Sequence, residues 1–120
     1  MANFCLVALG GAVGALLRYL ISLLPYHGAF PVLTLMTNLL GALAIGVVVG
    51  LADDLGEHRT LFLKTGVCGG FTTFSTFSLE TLTLFEGGKI GLGALYAAAS
   101  LALCVLGVWA GKSVIRLLKG

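Results

Sequence analysis

The sequence predicts an all-α membrane protein of four spanning helices, the third of them broken near its middle. Three observations carry this. Of the 120 residues, 58% are hydrophobic and 10% charged, whereas soluble domains carry roughly a quarter charged residues. The charges gather near 18, 53–64, 80–89 and 112–119. The stretches between them approach the roughly 20 apolar residues that a bilayer-spanning helix requires. Within the third stretch, Gly66-Val67-Cys68-Gly69-Gly70 runs straight into a polar segment, Thr72 to Thr81. Paired glycines there weaken a helix and let the backbone leave helical geometry.

The first span is expected over 3–24. A secretory signal is the other reading of an N-terminal apolar stretch, but such signals start with positive charge, and Arg18 stands at the opposite end. The second span is expected over 31–52, the third over 60–85 and the fourth over 91–111. Turns are predicted at Pro25-Tyr26-His27-Gly28, at 53–59 and at Glu86-Gly87-Gly88-Lys89. Residues 1–120 thus read as one integral membrane domain without a linker. Short connections predict consecutive spans as antiparallel neighbours. An even number of spans puts Arg59, Lys64, Lys112, Arg116 and Lys119 on one side, against Arg18 and Lys89 on the other. The positive-inside rule gives the richer side a modest cytoplasmic preference, and insertion in both orientations stays open.

Cys5, Cys68 and Cys104 lack paired spacing and clustered histidines, so neither a disulfide framework nor a zinc site is expected. A net charge of +2, dispersed along the chain, gives no case for nucleic acid. Lys112, Arg116 and Lys119 read as an interfacial anchor. Gly10 with Gly14, Gly46 with Gly50, Gly66 with Gly70 and Gly107 with Gly111 form GxxxG pairs, which let helix backbones approach closely in lipid. Four helices of this length enclose little, so a polar pathway is expected to need a second subunit.

Polar side chains at bilayer depth cost free energy unless paired or facing water, so each is a functional candidate. Arg18 can snorkel to the interface or place a fixed positive charge at a vestibule that draws anions. Thr34, Asn38 and Gly41 share one face of the second span; Asn38 can hold a partly dehydrated ion or bind helices together. The third span carries hydroxyls at Thr72, Thr73, Ser75, Thr76, Ser78 and Thr81, together with Glu80. A helix break at this depth survives only where its freed carbonyls and N–H groups face protein, water or an ion. Phe71, Phe74 and Phe77 recur every three residues and form an aromatic stripe whose positive ring edges can line an anion path. Tyr96, Ser100 and Cys104 repeat every four residues on the fourth span; they either extend a donor track or bond a neighbouring helix. Glu80 needs a proton or hydrogen bonds, which Tyr96 or the nearby threonines can supply.

The first-span motif Gly10-Gly11-Ala12-Val13-Gly14-Ala15-Leu16-Leu17-Arg18-Tyr19, the second-span Thr34-Leu35-Met36-Thr37-Asn38-Leu39-Leu40-Gly41 and the third-span stretch from Gly66 to Glu80 together resemble the Fluc (CrcB) family of fluoride channels over essentially the whole chain. The resemblance implies an antiparallel, dual-topology homodimer in a bacterial plasma (inner) membrane, with two fluoride pores. It also implies a structural, untransported sodium ion at the dimer centre, held by the carbonyls of Gly69 and Thr72 from both subunits. The family's pore phenylalanines map onto Phe74 and Phe77, its pore asparagine onto Asn38 and its vestibule arginine onto Arg18. A hydroxyl track would use Thr73, Ser75, Thr76, Tyr96 and Ser100, with Glu80 as polar support. Cys104 departs from the pattern, standing where members carry a serine, and a thiol donates weakly.

No catalytic residue set is visible: His27 and His58 lie in loops without a nucleophile beside them. The expected activity is passive electrodiffusion of fluoride. A small multidrug-resistance transporter, of similar length and also dual in topology, would need a carboxylate in its first span, which has only Arg18. A helix-packing protein without transport would explain the GxxxG pairs and leave the run from Thr72 to Ser78 without a purpose.

Overall fold

A computed structural model describes residues 1–120. Every regular element is helical: α1 (Ala2–Ser22), α2 (Val32–Gly50), α3 (Ala52–Leu55), α4 (Glu57–Thr60), a π-helical segment (Leu61–Cys68), α5 (Gly69–Phe71), α6 (Phe74–Glu86) and α7 (Ile90–Lys119). Of these, α1, α2 and α7 are each long and apolar enough to cross a membrane. The third expected span is a column of pieces running from α4 to α6, and no single piece is of crossing length.

Local chemistry sets the ends. Pro25 disfavours helical geometry at the residue before it, and α1 stops at Ser22. Pro31, with its preset φ of −76°, stands at the start of α2. After α6 the chain reverses through Gly88 at φ +79°, where any side chain is disfavoured. There the Lys89 N–H reaches the Leu84 carbonyl (2.8 Å) and the Gly88 N–H the Phe85 carbonyl (3.1 Å), a Schellman closure. Two expectations change. The second turn, 53–59, is largely helical, with α3 and α4 meeting at Gly56, φ +85°. The last helix runs past 111 to Lys119, because nothing in 112–119 breaks a helix and its polar turns can leave the hydrocarbon.

The GxxxG pairs assemble into two seams. Gly10 and Gly14 of α1 lie against Gly66 and Gly70: a Cβ on Gly10 would stand 2.6 Å from the Phe62 carbonyl oxygen and 2.8 Å from the Gly66 Cα. Gly46 of α2 meets Gly111 of α7, where a Cβ on Gly111 would stand 2.9 Å from the Val47 nitrogen. Consequently α1 packs mainly on Leu61–Phe71 and α2 mainly on α7, while α1 and α2 barely meet. The expectation that sequence neighbours pack together holds for α6 with α7 and for α2 with the column, and fails for α1 with α2. In lipid, close backbone approach selects partners more strongly than loop length does.

The outside of the molecule is apolar. Only 16 of 120 residues are buried, while Leu16, Leu20, Leu101, Leu106 and Trp109 are each more than half exposed. The longest dimension, 48 Å, matches a bilayer with its headgroups, about 40–45 Å.

Candidate functional site: a groove beside a broken helix

The column of pieces opens at Thr72 and Thr73. Their backbones are extended, φ −79° ψ 156° and φ −145° ψ 116°, between the end of α5 at Phe71 and the start of α6 at Phe74. The paired glycines, where the break was expected, keep helical geometry, with Gly69 at φ −62° ψ −38°. The Asn38 side chain on α2 brackets Thr73: its Oδ1 accepts the Thr73 N–H at 2.8 Å and its Nδ2 donates to the Thr73 carbonyl at 3.1 Å. This replaces, from another helix, the bonds that the opened backbone gives up. Thr73 also caps α6, its Oγ1 accepting the Thr76 N–H at 3.2 Å.

Two carbonyls thereby lose their helical donors. In a continuous helix the Thr73 N–H would go to the Gly69 carbonyl and the Thr76 N–H to the Thr72 carbonyl; both are diverted, to Asn38 and to the Thr73 hydroxyl. The neighbouring Gly70 carbonyl accepts from Arg18 Nε at 3.2 Å. Arg18 therefore lies half-buried against the broken column and does not snorkel away from it.

Thr72 and Thr73 face a groove of about 440 Å³ between the broken column, α2 and α7, with Asn38, Gly69, Phe74, Phe77, Ser100 and Cys104 in its walls. Phe74, 78% exposed, and Phe77 have ring centroids 5.5 Å apart, and Phe77 continues to Tyr96 at 5.1 Å and Tyr96 to Phe30 at 5.5 Å, edge to face. Phe71 leaves the expected stripe, because the extended pair interrupts the three-residue period. It packs toward Gly41 of α2 instead.

Behind the aromatic row, fully buried Tyr96 donates to Glu80 Oε1 at 2.9 Å, and Thr34 donates to Oε2 at 3.0 Å. Two hydroxyls from two other helices thus anchor the carboxyl group. One turn along α7, the buried Ser100 Oγ has no partner and lines the groove, leaving it able to serve a ligand or water. The hydroxyl run divides. Ser78 and Thr81 bond back to the carbonyls of Phe74 and Phe77, the ordinary use of hydroxyls in a helix. Thr73 and Ser75 approach each other at 3.5 Å. Ser75, Thr76, Tyr96, Arg18 and Glu80 do not line the groove, whereas Lys64 does. Sequence reasoning weighed Lys64, within the third span, only as a charge bearing on membrane orientation. Its spacing with Cys68 and Thr72, four residues apart each time, was the available signal for a shared face.

No three His, Cys, Asp or Glu side chains come together to hold a metal ion. Cation binding in the groove would fall to backbone oxygen, and the Gly69 and Thr72 carbonyls suit a hard monovalent cation.

Residues 5–112 match the family model described as "CrcB-like protein, Camphor Resistance (CrcB)". The chain is 49% identical to a protein of Roseobacter denitrificans over 97% of both chains. It is 45% identical to one of Ruminiclostridium cellulolyticum, over 97% of this chain and 94% of the other. A third, from Cereibacter sphaeroides, is 45% identical over 92% and 91%. All three carry the name fluoride-specific ion channel FluC.

Proposed function

The chain belongs to the CrcB family, whose named relatives are ion channels and not enzymes, and from that premise we propose that it is a fluoride-specific channel exporting the ion from the cytoplasm by passive electrodiffusion. The column 57–86 would cross the membrane as a fourth span, and two chains would pair antiparallel in a bacterial inner membrane, each capping the other's groove. The observation that carries the reading is the break at Thr72–Thr73, held open by Asn38 beside an aromatic pair and an unpartnered hydroxyl.

Fluoride is small and strongly hydrated, so a selective path must replace water with several oriented donors and still let the ion leave. After clamping Thr73, Asn38 retains one free N–H. The Ser100 hydroxyl is free, and the edges of Phe74 and Phe77 supply weak positive potential. Thr73, Ser75, Thr76 and Tyr96 would continue the track. Glu80 would hold Tyr96 and Thr34 in place, and Arg18 would add positive charge near the entry. A sodium ion on the Gly69 and Thr72 carbonyls of both copies would supply a fixed charge joining them at the breaks. A negative-inside potential drives anions outward by about 2.3 kcal/mol per charge per 100 mV.

The test is efflux from liposomes loaded with fluoride or chloride, followed by an ion electrode under a potassium-driven voltage. Fluoride efflux with chloride retained is expected, and equal rates for the two would sink the assignment. Phe74→Ile and Phe77→Ile should abolish flux with the dimer intact.

A further inference from the structure

We propose that Lys64 forms an anion-collecting site at one end of the groove, a fixed positive charge that concentrates small monovalent anions before they reach Asn38 and the phenylalanines. The inference rests on the channel reading above. Lys64 is the one charged residue among those lining the groove. Its side chain is exposed, and it has no ion pair, since the single salt bridge of the chain joins Lys119 to Asp54.

Depth makes this unusual. Lys64 shares its end of the groove with Val105 and Val108 of α7. The charge-free part of α7, 90–111, has its midpoint near residue 100. At 1.5 Å per residue those valines lie about 7 to 11 Å beyond it, within the roughly 15 Å half-thickness of a hydrocarbon core. An ammonium at that depth needs a partner or water.

No acid of the same chain pairs with it. Asp53, Asp54 and Glu57 sit in the α3–α4 connection and Glu86 at the end of α6. Glu80 is occupied by Tyr96 and Thr34. What remains is the open groove itself, in which the ammonium's natural counterion is mobile. Side chains on a helix lean toward its N-terminus, so Lys64 leans away from the Gly69 and Thr72 carbonyls that would hold a cation. A cation trap at the break and an anion collector below it can therefore coexist. Low-dielectric walls focus the field of such a charge and raise the local concentration of the opposite sign.

The test is fluoride efflux of wild type, Lys64→Met, Lys64→Arg and Lys64→Glu in liposomes at low and high ionic strength, with dimer content checked by size exclusion. At low salt Lys64→Met should slow efflux about threefold to tenfold and Lys64→Glu further, while Lys64→Arg stays within about twofold of wild type. At high salt the Met deficit should shrink, because a wet charge is screened within a few ångströms near 1 M. A Met deficit equal at both salts marks a packing lesion and overturns the inference, as does a variant series identical to wild type. A wild-type chain that passes no fluoride would overturn the channel reading itself, and this inference with it. Should Lys64→Met fail to dimerise, Lys64→Gln carries the same comparison.

Discussion

The segments 57–86 and 90–119 are equally long, yet one is four helical pieces joined across an extended pair and the other is a single helix. Glycine does not explain the difference. The unbroken α7 holds Gly91, Gly93, Gly107 and Gly111, and the broken column holds Gly66, Gly69 and Gly70, all helical. In both segments glycine serves mainly close packing: Gly66 and Gly70 receive α1, while Gly107 and Gly111 receive α2. The column opens where another helix offers its backbone a substitute, the Asn38 carboxamide on Thr73. No such group meets α7, whose buried Ser100 hydroxyl is left without a bond. A tertiary hydrogen-bond pair, more than local helix propensity, separates the broken column from the continuous helix.

The largest expected effect comes from removing that pair. Asn38→Leu leaves the Thr73 N–H and carbonyl unmatched, at about 1–3 kcal/mol each. Both the thermal stability of the protein in detergent and the fluoride efflux proposed for it should collapse, efflux by at least about tenfold. An Asn38→Leu protein that conducts normally would show that the break does not depend on α2. Asn38→Asp keeps the acceptor and loses the donor, and should fall between.

Next come the seams. A Cβ at Gly10 would press on the backbone of Phe62 and Gly66, whereas at Gly91 it meets nothing within 4 Å. Gly10→Ala should destabilise by about 1–3 kcal/mol, as overpacking does. Gly91→Ala should stabilise by up to about 1 kcal/mol through helix propensity. Paired melting curves check both, and equal shifts would erase the distinction between packing glycines and idle ones.

A smaller effect is expected behind the groove. Tyr96→Phe keeps the ring against Phe77 and Phe30 and removes one bond to Glu80. It should cost about 1 kcal/mol in melting and lower flux less than Asn38→Leu does. The reverse order of flux would shift the centre of the site from the break to the carboxylate.

The smallest effect belongs to the rim. Lys119 bonds Asp54 at 2.7 Å with both side chains substantially exposed, and the hydrogen bond to Asp54 raises its pKa above the ordinary lysine value. A raised lysine pKa stabilises fully below its unfolded value and loses that contribution as pH rises through the folded one. No change in melting from this pair is therefore expected across neutral pH, and Lys119→Met should melt and conduct as wild type. A clear loss at neutral pH would place the α7 terminus in the working structure.

Composition and charge spacing were enough to establish an all-helical chain with crossing helices, because apolar length is a local property measured against a fixed bilayer thickness. The Gly66-to-Glu80 run marked the segment that opens beside the groove for the same reason: hydroxyls and a carboxylate at that depth are costly wherever the chain packs. Packing alone decided which helices meet, since each GxxxG pair is a suitable partner for any other and the backbone contacts choose among them. It also moved the break from Gly69-Gly70 to Thr72-Thr73, parted Phe71 from Phe74 and Phe77, and set Lys64 of the third span in the wall of the groove. Each of these depends on a group delivered by another helix, and the order of residues along one segment carries no record of what stands opposite.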